Sequence, residues 1–200
     1  MRSTAVFGSL AALVLSVGAC GSANEAVSEP LSATPSTATP SAVGPSVPAG
    51  VPTELPPAPS AQAKTQESAN QFATYVALLD YRAVYTRDVA PLLGLVAPGD
   101  RCTECEHAQR EVEQAHPLFA VPAGEPKVLS AVPTSRHGDE YVVGVAYRTP
   151  AAKVVDASGE VVGDLQPYPH NYTEVRLRWD EAADVWHLLD YHVQKGGGDV

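Results

Sequence analysis

The chain has 200 residues, with 13 Lys and Arg against 23 Asp and Glu, and a formal net charge of −10 at pH 7. An acidic balance of this size argues against nucleic acid as a partner, because phosphate binding needs a basic face. The same charge favours solubility and disfavours contact with anionic lipid headgroups, but it selects no substrate.

The N-terminus has the pattern of a secretory signal, with Arg2, an apolar run over residues 5–17 and small residues after it. A transmembrane helix needs about 20 apolar residues, so this run is too short to span a bilayer. A buried core helix is the other alternative, and the position at the extreme N-terminus disfavours it. Val17-Gly18-Ala19-Cys20 resembles the lipobox of bacterial lipoprotein precursors, which implies acylation at Cys20. We therefore predict a signal peptide over residues 1–20 and a lipid anchor on the extracytoplasmic face of the cell membrane.

A second compositional block covers residues 21–64. It holds nine of the 18 prolines, and Ser, Thr and Ala make up most of the remainder. A segment of this composition buries too little apolar surface to offset its ordering entropy, so we predict a disordered linker. Its function is either a tether that carries the domain away from the bilayer or a spacer with no sequence requirement. The Ser/Thr-Pro pattern also leaves O-glycosylation open.

The first two-fifths of the remaining chain have helical periodicity. Ser68 followed by Gln71 forms a capping-box pattern, and apolar residues then recur every three or four positions to about Tyr85. A shorter helix is predicted over residues 89–95. Thr103 and Glu106 form a second capping-box pattern, which begins a third helix that ends before Pro117.

From Lys127 onward the periodicity becomes alternating. We predict strands over residues 127–132, 140–148, 172–179 and 185–193, and a hairpin whose strands 153–155 and 160–162 flank the turn 156–159. Helices followed by strands in one domain, here residues 65–195, indicate an α+β fold with the helices packed on one face of a curved antiparallel sheet. Residues 196–200 are predicted to be a flexible tail.

This order of elements resembles the NTF2-like (cystatin-like) cone. The region is also similar to an actinobacterial lipoprotein family of unknown function, DUF6318. The motifs that carry this resemblance are Ala73-Thr74-Tyr75, Leu78-Leu79-Asp80-Tyr81, Cys102-Thr103-Glu104-Cys105, Val154-Val155-Asp156 to Gly159, and Trp186-His187-Leu188-Leu189-Asp190. The resemblance implies the cone-shaped fold and no activity, since one fold hosts many functions.

The two cysteines of the domain form a Cys102-x-x-Cys105 motif. Such a motif at a helix N-terminus can act in disulfide exchange, but acidic neighbours disfavour a reactive thiolate, and the strand that precedes it in thioredoxins is missing. Outside the cytoplasm a close pair oxidises and stays oxidised. We predict a structural Cys102–Cys105 disulfide, with disulfide exchange as an alternative, and neither a metal site nor a cofactor.

The strands also carry residues that could line a ligand pocket. Asp190 and His192 are predicted to share a strand face with Trp186 and Leu188, and Tyr141 and Tyr147 could add hydroxyl groups from a neighbouring strand. A carboxylate–imidazole pair in a cone-shaped cavity could act as general base and orienter. The alternative is that Asp190 and His192 lie at the solvated end of the sheet.

No residue is predicted to be catalytic, because no nucleophile–base spacing singles one out. The leading hypothesis is a lipid-anchored envelope protein whose domain binds a cell-wall component, an envelope protein or a small apolar ligand. The alternatives are a small cavity enzyme or ligand carrier, and a thiol–disulfide protein. A homodimer formed through the open sheet is a further candidate assembly.

Overall fold

The computed structural model describes residues 47–60, 63–114 and 118–194. The predicted signal peptide with Cys20, most of the linker and the tail lie outside the described residues. Within the described residues, no helix combines the length and apolar character needed to cross a bilayer.

The first helix, α1, spans Gln66–Thr86. Its N-cap is Thr65, whose side chain accepts a hydrogen bond from the Ser68 amide at 3.2 Å. The predicted cap, Ser68, instead lies inside the first turn, where its hydroxyl accepts the indole N–H of Trp186 at 3.1 Å. The C-cap is Arg87, which adopts the left-handed conformation with φ 59°.

Two shorter helices follow, α2 over Ala90–Leu93 and α3 over Thr103–Gln114. The residue before α3 caps it, since Cys102 Sγ accepts the amide of Cys105 at 3.2 Å. Thr103 is therefore the first residue of α3 and not its cap, so the predicted capping box is wrong by one position.

In the described part of the chain, seven strands form two antiparallel sheets. They are β1 Phe119–Pro122, β2 Lys127–His137, β3 Glu140–Thr149, β4 Ala152–Val155, β5 Val161–Leu165, β6 Tyr168–Asp180 and β7 Val185–Gln194. The main sheet has the order β2-β3-β6-β7, and the small sheet has the order β1-β4-β5. Each ladder of the main sheet carries a register shift, and such bulges bend and twist a sheet.

The large core lies between the helices and the main sheet. The helix α1 contributes small and large apolar residues from one face, the strands β3 and β6 contribute alternate residues, and β7 contributes Trp186, Leu188 and Tyr191. Its fully buried members include Val76, Leu79, Val143, Leu177 and Leu188. The predicted α+β class, with helices packed against a curved antiparallel sheet, is confirmed.

Two parts of this architecture differ from the predictions. The strand β1 was not predicted, and it pairs with β4 through Phe119 opposite Val155. The predicted linker boundary at residue 64 is also wrong, because residues 47–60, which we call the strap, contact the domain. Val51 is buried against Phe119 and Val155, and the Thr53 carbonyl accepts a hydrogen bond from Arg82 at 2.9 Å.

Ala63 and Lys64, which precede α1, contact the domain as well. The Ala63 carbonyl accepts the Trp186 indole N–H at 3.1 Å, and Lys64 forms ion pairs with Asp139 and Glu181. These contacts join the chain that precedes α1 to the turns at one end of the main sheet. Composition predicted disorder here because it averages over the segment, whereas a few long-range contacts hold it.

Candidate functional site

The structure does not bring the four predicted pocket residues together. In the β6–β7 ladder, Arg176 lies opposite Asp190 and Leu177 lies opposite Leu188, which leaves Leu189 without a partner. This bulge reverses the alternation, so that Tyr191 and not Asp190 continues the buried side of β7. The prediction that Asp190 and His192 share a face with Trp186 and Leu188 is therefore wrong.

After the bulge, the two polar residues lie beside charged partners. Asp190 is opposite Arg176, and His192 is exposed opposite Glu174. Neither residue lines any of the three described cavities. His192 is exposed, as the alternative reading of the sequence expects, whereas Asp190 is half-buried and bonds to the start of α3.

The two predicted pocket tyrosines are buried in the large core. Tyr141 packs edge-to-face on Trp186 with ring centroids 4.9 Å apart, and its hydroxyl has no hydrogen-bond partner in the described part of the chain. The hydroxyl of Tyr147 accepts a hydrogen bond from Thr173 at 3.4 Å, and burial raises the pKa of Tyr147 to about 12. Both side chains are core residues with polar ends rather than donors at an open groove.

A hydrogen bond between a half-buried carboxylate and a buried phenol was not predicted from the sequence. The hydroxyl of Tyr191 donates to Asp80 Oδ1 at 2.9 Å, linking β7 to α1. Burial and the neighbouring Asp80 carboxylate both raise the pKa of Tyr191, so the phenol stays protonated and keeps donating. Asp80 directly follows Leu79 of the predicted apolar face, but no local pattern in the sequence pairs it with Tyr191.

The cysteines form a disulfide in agreement with the predicted pairing. Cys102 and Cys105 are linked with a Cα–Cα distance of 5.2 Å, and both residues are buried. Asp190 lies beside them, and its Oδ1 accepts the backbone amides of Glu104 and Tyr191, both at 3.1 Å. The carboxylate thus stabilises the N-terminus of α3, where unpaired amides and the helix dipole favour negative charge.

This corner is a poor place for disulfide exchange. Asp190 Oδ1 is 3.6 Å from Cys102 Sγ, so its negative charge opposes formation of a thiolate there. Burial of both sulfurs also keeps a second thiol from reaching them while α3 is in place. The pair acts as a cross-link that holds the start of α3.

No group of three or more His, Cys, Asp or Glu side chains is placed to hold a metal ion within the described ranges. A cavity lies between α1 and α3, and we call it the α1–α3 cavity. The α1–α3 cavity has a volume of about 520 Å³. Its apolar walls are Ala83, Val84, Val89, Ala108 and Val112.

Four polar residues line the same cavity, namely Asp80, Arg87, Glu111 and Gln114. Asp80 accepts the hydrogen bond from Tyr191, and Arg87 donates to the carbonyl of Val112. Val84 is 61% exposed, which leaves a large apolar side chain of α1 open to an occupant. Apolar walls with a few polar groups are typical of small-molecule sites.

Two further cavities border the strap. The first, of about 540 Å³, lies between Pro57–Ser60 of the strap and one side of α1. The second, which we call the strap cavity, has about 350 Å³ and lies between the strap, α1 and the connection from β1 to β2. Sequence reasoning missed both, because it assigned the strap to the disordered linker.

No protein-family model matches the chain, and no curated protein matches it. Among solved structures, a protein of unknown function with a cystatin-like fold from Nostoc punctiforme is similar, with 12% sequence identity and a TM-score of 0.38. The match covers 68% of this chain and 97% of that chain. It brings no activity and no site residue to this chain.

Proposed function

We propose that the chain is a lipid-anchored protein of the cell envelope, of the DUF6318 type, whose domain binds a partner without catalysing a reaction. The lipobox-like Val17-Gly18-Ala19-Cys20 after the apolar residues 5–17 supports the anchor at Cys20. The proline-rich residues that follow support a tether between the membrane and the domain. The location is the extracytoplasmic face of the cytoplasmic membrane.

The α1–α3 cavity is the binding site that the geometry supports best. The observation that carries this proposal is its volume of about 520 Å³ together with its apolar walls. The polar groups Asp80 and Arg87 stabilise the helices through Tyr191 and Val112, which favours a binding role over a catalytic one. The occupant that fits these walls is a small apolar molecule. A cell-wall component, an envelope protein and a second copy of the chain are the alternative partners.

The anchor is tested with Cys20→Ser in the native host. Growth with an alkyne-bearing fatty acid should label the wild-type protein and leave the variant unlabelled, because only the thiol can take the diacylglycerol group. Membrane fractionation should then recover the wild type in the membrane and release the variant. Equal labelling of the two proteins contradicts the anchor.

The binding site is tested with N-phenyl-1-naphthylamine, a neutral apolar dye that fluoresces on leaving water. Val84→Arg should weaken dye binding about tenfold or more, because it places a charge at the apolar wall. The matched control is Val162→Arg, since Val162 is 54% exposed on β5 and lines none of the three described cavities. Equal dye binding by both variants would exclude the α1–α3 cavity.

Native mass spectrometry of protein from its host distinguishes a small molecule from a protein partner or a dimer.

A further inference from the structure

The strand β5 is an open edge of the small sheet. In the described part of the chain it pairs with β4 alone, so its other side presents backbone N–H and C=O groups that a further strand could bind. The opposite edge of the same sheet is β1, where Phe119 and Ala120 are buried. The two edges therefore differ, and β5 is the more accessible one.

Apolar side chains are exposed along β5 and just after it. Val161, Val162 and Leu165 are 56%, 54% and 39% exposed, and Tyr168, the first residue of β6, is 47% exposed. Single exposed apolar side chains are ordinary on a protein surface. Four of them between Val161 and Tyr168 are typical of a surface that binds a partner.

This edge lacks residues that commonly keep edge strands from pairing with other chains. The strand β2, an edge of the main sheet, has Pro133 in its interior and Arg136 near its end. In contrast, β5 has no Pro, Lys or Arg, and its one charged residue, Asp164, is paired with Lys153 at 2.5 Å. The ladder with β4 leaves Val162 without a partner, but it is regular over residues 163–165.

The charges near β5 favour a basic partner. Residues 152–168 contain the carboxylates of Asp156, Glu160 and Asp164 and one cation, Lys153. Because Lys153 is paired with Asp164, the β4–β5 turn has an excess of negative charge from Asp156 and Glu160. A second copy would add the same acidic turn to a chain whose formal net charge is already −10, whereas a segment with Lys or Arg would complement it.

We propose that β5 binds an extended segment of another protein, with apolar side chains along the segment and Lys or Arg at its ends. The backbone of the segment pairs with residues 163–165, and its apolar side chains cover Val161, Val162 and Leu165. One basic end lies beside Asp156 and Glu160. Backbone pairing supplies affinity and the side chains supply specificity, as in other cases of strand addition. This surface is separate from the α1–α3 cavity and does not depend on the function proposed for it.

NMR titration of the isotope-labelled full chain tests the partner chemistry. The probe is a peptide of alternating Val and Thr residues with a Lys at each end, and the matched peptide has Glu at each end. The Lys peptide should shift the amides of residues 163–165 saturably and slow their hydrogen exchange. The Glu peptide should bind about tenfold more weakly at low salt, and added salt should reduce this difference. No saturable shift at β5, or equal affinity of the two peptides at low salt, overturns the proposal.

Two lysine variants test the location. Val162→Lys should weaken binding of the Lys peptide about tenfold, because it replaces an exposed apolar contact with a like charge. The matched control is Val132→Lys, since Val132 is 49% exposed on the edge strand β2, and this variant should bind as the wild type does. Equal affinity of the two variants means that the peptide does not bind at β5.

Sedimentation velocity of the full chain without peptide tests the alternative occupant. The wild type should sediment as a monomer, because the acidic turns of two copies repel each other. A dimer that Val162→Lys dissociates and Val132→Lys preserves would assign this edge to a second copy, which overturns the proposal.

Discussion

The main sheet and the small sheet are stabilised by cores of very different size. The main sheet shares one continuous cluster with the helices, whose fully buried members include Leu177 and Leu188. The small sheet is covered by two clusters of only a few residues each, one around Tyr81 and one around Val51. In the second cluster, Val51 of the strap packs against Phe119 and Val155 of the small sheet.

Buried polar groups do not separate the two regions. In the main core, Thr173 donates to Tyr147 and Tyr191 donates to Asp80, but the Tyr141 hydroxyl has no partner among the described residues. The difference in core size leads us to expect that the strap and the small sheet open locally at lower free energy than the main sheet. The comparison predicts one rigid region and one adaptable region in the same domain.

The largest expected effect comes from truncating the main core. Leu177→Ala should lower the free energy of unfolding by about 3–4 kcal/mol, because a fully buried leucine leaves a cavity in a close-packed interior. Urea denaturation followed by far-UV circular dichroism measures this loss. A loss below about 1 kcal/mol would mean that the main core is no more rigid than the small sheet.

Removing the disulfide should have the next largest effect. The Cys102→Ala, Cys105→Ala double variant should lose about 2 kcal/mol, since the cross-link closes a short loop and so restricts the unfolded chain modestly. Denaturation of the variant, compared with the wild type in the presence and absence of a reductant, measures the loss. Because α3 packs on β7, the loss should appear in the global transition. A separate early transition would place α3 with the adaptable region instead.

The main sheet could be predicted from the sequence because its signals are local. The alternation along β6 and the three-to-four spacing along α1 repeat over many residues, so one irregular position does not erase them. The bulge at Leu189 could not be predicted, because it arises from pairing with β6 and leaves no local signal. One displaced residue was enough to misplace Asp190 and His192 in the expected pocket.

The strap and its cavity could not be predicted for a related reason. A proline-rich composition indicates that a segment forms no helix or strand by itself. It does not show whether another part of the chain binds that segment. Val51 is one apolar residue among prolines, and its partners Phe119 and Val155 are distant in sequence. The disulfide could be predicted because Cys102 and Cys105 are close in sequence and the remaining cysteine was assigned to the lipid.

The strap offers the next test of the comparison. Val51→Ala should reduce stability by about 1 kcal/mol, less than Leu177→Ala, because it removes fewer contacts from a smaller cluster. Hydrogen exchange should become faster at the amides of Thr53 and Phe119 and stay unchanged at Leu177. The outcome that contradicts local opening is a uniform increase in exchange across both sheets.

The smallest expected effect is a response to acid in the β4–β5 turn. Hydrogen bonds from Ser158 and from the backbone amide of Glu160 lower the pKa of Asp156. Since the folded-state pKa lies below the unfolded value, the turn is stabilised above the unfolded pKa and loses this stabilisation as pH falls through the folded pKa. Asp180 provides the matched case, because amides of Ala182 and Ala183 lower its pKa in the β6–β7 turn of the main sheet.

Amide exchange near the two turns should therefore respond differently to acid as both carboxylates become protonated. Amide exchange in β5 should accelerate at acid pH, since a short edge strand of a three-stranded sheet has little other support. The β6–β7 ladder should keep its protection over the same pH range, because the large core holds it independently of Asp180. Asp156→Asn should remove most of the pH response in β5. If both turns lose protection together, the main sheet and the small sheet form one cooperative unit and the contrast between them is wrong.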